Sequence, residues 1–391
     1  MNGEANMVKS DNLYPKSKAL VTDAYYLPKG HYFLSHAVGC LIKEAEKTAQ
    51  NQYFEEWKER GAHAWDAWLS VNEQFCSELA LLLGTNAQNI CPQSNVSSAL
   101  SKILYSIPKE TKRNTILLSE RDFPSTAYVL QQLEREGYQL RYLPKDAAIE
   151  DVSVWEEALT EDVQWAFITH VTSNQSIRVP VKEITALSSS KNIYSIVDIA
   201  QSVGVIPISL NEWQADFVVG SCVKWLCGGP GAGFLWVSPN RIHDCAPRDL
   251  GWFSHEEPFE GDLHRFRYAK NAKKFWGGTP SILPFSLAAE SIKHQRNLGI
   301  QTIHQHNQKI IHFLYEALTE AGYHIASPQK HKERGGTLVI NISNPILLKD
   351  LEKKDIHCDL REGQLLRLSP HIYTDMNDAL LVKDFLINYP Y

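Results

Sequence analysis

The chain has 391 residues, of which 43% are hydrophobic, and it carries a formal net charge of −6 at pH 7. This length and hydrophobic content support a large core and predict two domains. The acidic balance argues against a nucleic-acid surface, and no apolar stretch reaches the roughly 18 residues that a membrane span needs.

Residues 1–30 are predicted to form an N-terminal arm. Residues 1–18 are polar and lack the apolar segment of a secretory signal, so a cytoplasmic protein is expected. The seven cysteines are odd in number and include no C-x-x-C spacing, which favours reduced thiols over disulfides. The 15 histidines show no metal-ligand spacing, and no metal is expected.

Residues 31–285 are predicted to form a large α/β domain. Helical periodicity covers residues 41–84, and a further helix is predicted over 99–107. From about residue 115 apolar runs alternate with helical segments, which is typical of a mostly parallel sheet with helices on both faces. Strands are predicted at 115–118, 139–143, 163–169, 194–197, 217–219 and 233–237. Helices are predicted at 126–136, 153–159 and 181–190, with a short helix from Ala200.

Residues 286–391 are predicted to form a smaller α+β domain. After Gly278-Thr279-Pro280 the spacing of apolar residues predicts a long helix over 282–297. Residues 337–342 are predicted to form a strand, and further mixed helical and strand patterns continue to the end of the chain.

Lys224 stands between two apolar runs and is followed by the turn Gly228-Gly229-Pro230-Gly231. Asp198 ends another apolar run 26 residues upstream. A pyridoxal 5'-phosphate (PLP) enzyme needs this pairing, because the lysine forms a Schiff base and the acid keeps the pyridine nitrogen protonated. A lone lysine after a strand is more often a solvated loop residue, so the hypothesis depends on the neighbouring motifs.

Three further groups of residues suit such a cofactor and its substrate. Ser94 and Asn95 precede a predicted helix, where hydroxyls and backbone N–H groups bind phosphate, with an ordinary N-cap as the alternative. Phe123 follows a strand and offers a flat face for the ring, with a core aromatic as the alternative. Arg367 lies between leucines and is a candidate for bidentate binding of an α-carboxylate, assisted by Arg361, with a surface ion pair as the alternative.

In order and spacing these motifs resemble the class V branch of the fold-type-I PLP superfamily, which contains aminotransferases, isopenicillin N epimerase-like proteins, cysteine desulfurases and kynureninases. The resemblance extends from the segment 32–39 to Tyr373. It implies a large domain with a mostly parallel, seven-stranded-type sheet. It also implies that Lys224 binds the cofactor and shuttles a proton, that Asp198 holds the pyridine nitrogen, and that Gln201 lies near the phenolic oxygen.

The resemblance implies the remaining site residues as well. Phe123 would stack on the ring. The implied phosphate ligands are Ser94, Asn95, Ser221 and Thr279. Thr279 would reach in from a neighbouring subunit, so a homodimer with shared sites is expected. The candidate substrate-binding residues are Arg367, Arg361, His36 and Trp252.

The reaction type rests on a comparison within the branch. The segments 251–255 and 359–362 are similar to kynureninase motifs. Three features differ from kynureninases: Val223 replaces a tyrosine, Thr126 replaces an aspartate, and the loop 170–176 lacks an aromatic residue and Thr-Gly.

We therefore expect an aminotransferase acting on an amino acid. A kynureninase-like hydrolase is the second expectation, and a β-lyase or epimerase is the third. A cysteine desulfurase is less expected, because Cys358 lacks the Gly-His-His-Cys context of the sulfur acceptor. A PLP-binding protein without turnover is least expected, because such a protein has little use for a carboxylate anchor at Arg367.

Overall fold

The computed structural model describes residues 21–389 of the chain. Residues 1–20, which make up most of the predicted N-terminal arm, lie outside the described residues. Within the described range, no helix combines the length and the apolar character needed to cross a lipid bilayer.

The strands belong to one large sheet and two smaller ones. In chain order they are β1 (His31–Tyr32), β2 (Ile90–Gln93), β3 (Thr115–Ser119), β4 (Gln139–Leu143), β5 (Val163–Thr169), β6 (Tyr194–Asp198), β7 (Phe217–Ser221), β8 (Gly233–Val237), β9 (His324–Ile325), β10 (Leu338–Asn341), β11 (Ile356–His357), β12 (Asp359–Arg361) and β13 (Leu365–Leu368).

The large sheet has seven strands in the order β2-β8-β7-β6-β5-β3-β4. The pairs from β7 to β4 are parallel, and β8 is antiparallel to both of its neighbours. The predicted mostly parallel sheet is therefore confirmed. Three of its strands, β2, β3 and β8, are buried along their whole length, and β5, β6 and β7 are buried at all but one position, as expected for apolar runs covered on both faces.

The helices agree with the predicted periodicity, apart from their ends. In chain order they are α1 (Lys43–Ala49), α2 (Glu56–Arg60), α3 (Trp65–Leu83), α4 (Val96–Leu104), α5 (Pro124–Gln131), α6 (Val152–Ala158), α7 (Val181–Ser190), α8 (Leu283–Leu298), α9 (Ile300–Glu320), α10 (Leu347–Glu352) and α11 (Met376–Ile387). A π-helical segment, Gln50–Glu55, joins α1 to α2. The helix α3 ends at Gly84, whose φ of 65° is the left-handed conformation that terminates many helices.

The predicted short helix from Ala200 is wrong, because residues 200–206 form successive turns. Gly204 adopts a φ of +97°, which interrupts helical geometry. A Cβ at this position would lie 2.8 Å from the backbone carbon of Trp225. The turns therefore pack directly against the segment that follows Lys224.

Apolar side chains cover the large sheet in two clusters, one of which includes Phe75, Val197 and Phe285, and the other Leu118, Phe167 and Val219. The buried apolar side chains of α8 belong to the first cluster. A third cluster lies around the small sheet, whose order is β12-β13-β10-β9. The predicted division of the chain at residues 285 and 286 stays a prediction.

Residues 31–39 contact both the small sheet and the turn that carries Lys224. β1 pairs with β11, and Ser369 donates its backbone N–H to the carbonyl of Phe33. A few residues later, Gly39 donates its backbone N–H to the carbonyl of Val223 beside Lys224. Residues 31–39 therefore touch both the small sheet and the turn that carries the predicted cofactor lysine.

Candidate active site

Polar side chains end three neighbouring strands of the large sheet. Thr169 ends β5, Asp198 ends β6 and Ser221 ends β7, and Thr169 is paired in register with Asp198. Ligands of open α/β sheets bind at this carboxyl edge. A cavity of about 270 Å³ opens there. Its lining residues are Asn95, Val96, Ser97, Leu100, Phe123, Ser125, Thr126, Thr169, Val171, Ser173, Asp198, Ala200, Gln201, Ser221 and Lys224.

The turn that carries Lys224 is held by backbone contacts on both sides. Gly39 donates to the carbonyl of Val223 at 2.8 Å, and Cys227 donates to the carbonyl of Lys224 at 2.9 Å. A Cβ on Gly39 would lie 2.2 Å from the Lys224 carbonyl oxygen, so only glycine permits this approach. The backbone of Lys224 is therefore fixed, while its side chain extends into the cavity.

The amine of Lys224 lies 5.8 Å from the centroid of the Phe123 ring. Phe123 is 45% exposed, so the ring keeps an open face toward the cavity. Burial lowers the pKa of Lys224, the charge of Asp198 opposes this shift, and the charges of Arg367 and Arg361 add to it. Lys224 is consequently neutral at a lower pH than an exposed lysine, which suits a nucleophilic amine.

Asp198 is a buried carboxylate with an incomplete set of partners. Its Oδ1 accepts a hydrogen bond from the backbone N–H of Ala200 at 2.8 Å. Burial raises the pKa of Asp198, whereas that hydrogen bond and the nearby Lys224 lower it. A cation placed beside this carboxylate would relieve the cost of its burial. The arrangement therefore fits the protonated ring nitrogen that the sequence predicts.

The first turn of α4 forms the opposite end of the cavity. Asn95 is the N-cap residue, and its Oδ1 accepts from the backbone N–H of Ser98 at 2.9 Å. The first N–H groups of a helix lack intrahelical acceptors, and together with the helix dipole they favour an anion. Ser97 and Ser221 add hydroxyls that line the same cavity. This end therefore suits a phosphate, although the predicted Ser94 does not line the cavity.

Asp122 is a site residue that the sequence interpretation missed. Its carboxylate accepts from Thr169 Oγ1 at 2.6 Å and from the backbone N–H of Ser119 at 2.8 Å. Burial raises the pKa of Asp122 to about 7, the two hydrogen bonds lower it, and the charge of Asp198 raises it further. A second carboxyl group therefore lies next to Asp198, behind Thr169. Its position before Phe123 was the only signal in the sequence.

Gln201 and His36 meet at the edge of the cavity. Gln201 donates from Nε2 to the backbone carbonyl of His36 at 3.2 Å and accepts from Trp225 Nε1 at 3.3 Å. Both ends of the Gln201 amide are thus held, which fixes its orientation. Burial lowers the pKa of His36 to about 4, so its ring is neutral near pH 7.

Arg367 is buried and all three of its guanidinium nitrogens have partners. Nε donates to Asp359 Oδ1 at 2.8 Å, Nη2 donates to Asp359 Oδ2, and Nη1 donates to the carbonyl of Ser173 at 2.8 Å. Ser173 lines the cavity, so Arg367 lies directly behind its wall. Arg361 is exposed, and its positive charge helps to lower the pKa of Lys224. The alternative of a surface ion pair is wrong for Arg367, because its guanidinium is buried, although its partner Asp359 is partly exposed.

Two predicted residues, Thr279 and Trp252, lie apart from the cavity within this chain. Thr279 is exposed. Trp252 is 38% exposed and belongs to an aromatic cluster in which its ring contacts Trp65 and Phe259 edge to face. Neither side chain lines the cavity around Lys224. A role for them in catalysis therefore requires a second subunit.

The described groups match the parts of the predicted cofactor. The amine of Lys224, the buried carboxylate of Asp198 and the exposed face of Phe123 surround a cavity that ends at the N-terminus of α4. Between residues 21 and 389 no group of three or more His, Cys, Asp or Glu side chains is arranged to hold a metal ion. The residues present therefore fit PLP.

Comparisons with known protein sequences agree with this interpretation. The sequence model of the family described as aminotransferase class-V matches residues 32–356. An uncharacterised aminotransferase of Bacillus subtilis, YcbU, is 25% identical over 88% of this chain and 90% of its own length. A kynureninase of Geobacillus thermodenitrificans is 26% identical over 91% of this chain and 88% of its own length.

Solved structures share the fold. A variant of C-DES, a cystine C–S lyase, with glycine covalently linked to its PLP cofactor, superposes with a TM-score of 0.85, 19% identity and coverage of 93% of this chain and 98% of its own. The cysteine desulfurase CsdA of Escherichia coli gives a TM-score of 0.83, 15% identity and coverage of 96% and 98%. The predicted fold-type-I architecture is therefore confirmed.

Proposed function

Because this chain belongs to the aminotransferase class-V family, we propose that it is an enzyme that transfers the amino group of an amino acid by means of PLP held at Lys224. PLP is the cofactor of this enzyme. The observation that carries the proposal is the meeting of Lys224, Asp198 and Phe123 in one cavity. Each of these side chains has a separate task there.

Different residues of the cavity hold the cofactor and move the proton. When bound, PLP withdraws electrons from the Cα of an amino acid attached through its amino group. Lys224 attaches the cofactor and, once released, its neutral amine takes the α-proton. Asp198 holds a proton on the ring nitrogen, and Phe123 supports one face of the ring. Ser97, Ser221 and the N-terminus of α4 hold the phosphate.

Transamination is favoured over hydrolysis by the residue that precedes Lys224. Val223 carries no group that can donate a hydrogen bond or a proton, and its carbonyl is occupied by Gly39. An aminotransferase needs only the acid, the lysine and the carboxylate anchor. A desulfurase is disfavoured, because Cys358 is buried and burial raises its thiol pKa to about 12.

A kynureninase-like hydrolase is the second candidate function. The segment 251–255 and the identity to bacterial kynureninases favour it. Trp252, which is 38% exposed, packs against the buried Phe253 in the aromatic cluster, and this suits an aromatic substrate if the cluster lies near a subunit boundary. A β-lyase or an epimerase shares the same cofactor residues and comes third.

The visible absorption spectrum of the holoenzyme tests the choice of reaction. We expect one amino acid of a panel that includes kynurenine to remove the band of the lysine-bound cofactor, and a keto acid to restore it. Release of anthranilate from kynurenine, with the band returning unaided, would replace this proposal by the hydrolase. All seven cysteines are free and buried, so a reducing buffer is appropriate.

Shared sites in a homodimer explain the position of Thr279. We propose that Thr279 binds the phosphate in the partner's cavity. Mixing the inactive variants Lys224→Ala and Thr279→Ala under exchange conditions should then restore activity, because each hybrid dimer has one site with both residues intact. Half of the dimers are hybrids in a 1:1 mixture, so about a quarter of the sites should work.

The mixing experiment has an internal control. Mixing Lys224→Ala with Asp198→Asn should restore nothing, because these two residues belong to the same cavity within one chain. Equal recovery in both mixtures, or recovery in neither, would contradict a Thr279 that acts across the dimer. Sedimentation of each mixture verifies that dimers have formed.

A further inference from the structure

The residue best suited to anchor the substrate carboxylate already holds a carboxylate of its own chain. Arg367 is 1% exposed, and two of its guanidinium nitrogens are bound to both oxygens of Asp359. This is the bidentate geometry with which arginine binds a carboxylate ligand. Asp359 therefore occupies the two donors with which Arg367 would bind a substrate carboxylate.

The pairing is built into the small sheet. Asp359 on β12 is directly opposite Arg367 on β13, so the register of the hairpin brings the two side chains together. Burial would raise the pKa of Asp359, but hydrogen bonds from His36 and Arg367 hold it below its ordinary value. Asp359 is consequently ionised near pH 7, and it neutralises the charge of Arg367.

Asp359 has a second partner that remains available when it leaves Arg367. His36 Nε2 lies 3.2 Å from Asp359 Oδ1, and His36 Nδ1 is held by Ser369 Oγ at 2.6 Å. The side chain of Asp359 is 29% exposed, whereas that of Arg367 is 1% exposed. A rotation of Asp359 alone could therefore uncover the guanidinium without moving the backbone.

We propose that Asp359 competes with the substrate carboxylate for Arg367 and so sets the affinity and the selectivity of the site. The proposal rests on the proposed function, in which Arg367 is the carboxylate anchor. When a ligand offers only a carboxylate, Arg367 exchanges the carboxylate of Asp359 for that of the ligand. The net gain in binding free energy is then small. Substrates whose side chains make additional contacts are therefore favoured over short amino acids.

A role for Asp359 in orienting Arg367 predicts the opposite change in carboxylate affinity. If Asp359 only orients Arg367, its removal leaves the guanidinium misplaced, and carboxylates bind more weakly. If Asp359 competes, its removal frees two donors, and carboxylates bind more tightly. The sign of the change in affinity therefore separates the two roles.

The experiment compares the affinity of PLP-loaded wild type, Asp359→Asn and Asp359→Ser for glycine and propionate by ligand-observed NMR titration. We expect both variants to bind both probes about tenfold more tightly. Glu362→Gln is the matched control, because it removes a carboxylate from the same hairpin that is bound to Lys145 and Asn174 instead. This control should bind both probes as wild type does.

Weaker or unchanged binding by Asp359→Asn and Asp359→Ser would overturn the competition. Equal tightening by Glu362→Gln would also overturn it, since the effect would then be a general loss of negative charge. Arg367→Gln separates this failure from a failure of the proposed function. If Arg367→Gln binds propionate as wild type does, Arg367 is not the carboxylate anchor. Thermal unfolding of each variant confirms that it is folded.

Discussion

Replacing Lys224 with alanine is expected to abolish both the covalent attachment of PLP and turnover. Among residues 21–389, Lys224 supplies the only amine that lines the cavity, and it serves as both attachment point and proton carrier in the proposed mechanism. We expect a fall in turnover of at least about 10⁴-fold. Borohydride reduction of the holoenzyme followed by peptide mass spectrometry should place the cofactor on Lys224 in the wild type and on no peptide of the variant.

Lys191→Ala is a suitable control for the loss of a lysine. Lys191 donates to the backbone carbonyls of Glu156 and Leu159, at the amino-terminal side of β6 and away from the cavity. We expect it to keep the yellow colour and the activity. A Lys224→Ala protein that still carries borohydride-reducible cofactor would contradict the assignment of Lys224, whatever its activity.

Asp198→Asn should leave PLP attached but slow the reaction by about a hundredfold to a thousandfold. The amide keeps the shape of the side chain and its contact with Ala200, but it no longer holds a proton on the ring nitrogen through its charge. Turnover should therefore fall while the absorption band of the lysine-bound cofactor persists. Single-turnover kinetics and the visible spectrum, measured on the same sample, would show this separation.

The neighbouring carboxyl group provides the matched control for Asp198. The charge of Asp198 raises the pKa of Asp122, yet Asp122 does not line the cavity. We expect Asp122→Asn to change turnover by less than about tenfold, because its carboxyl is bound to Thr169 and Ser119 rather than to the cofactor. A loss as large as that of Asp198→Asn would mean that the two acids act as one unit.

The part of the site that could be predicted from the sequence lies at the ends of buried strands. Asp198, Ser221 and Lys224 follow apolar runs, and parallel strands bring their carboxyl ends to one edge of the sheet. Asn95 and Phe123 were recognisable because each stands at the start of a helix. In these cases local patterns determine which residues meet.

The pairing of Asp359 with Arg367 could not be predicted in the same way. It depends on the register of a hairpin whose turn contains Glu362 and Gly363, both with positive φ. A shift of one residue would turn Asp359 to the opposite face of the sheet. The hydrogen bond between Thr169 and Asp122 likewise joins residues 47 positions apart in the sequence. No local sequence pattern predicts either contact.

The contacts of residues 31–39 join segments that are synthesised at different times. The β1 strand needs β11 as a partner, and Gly39 supports the turn of Lys224. The ribosome releases residues 356–357 only after all seven strands of the large sheet have been made. The apolar strands of the large sheet can thus collapse early, but the turn of Lys224 receives its last support late. A nascent chain therefore completes the support of its cofactor lysine only after β11 has been made.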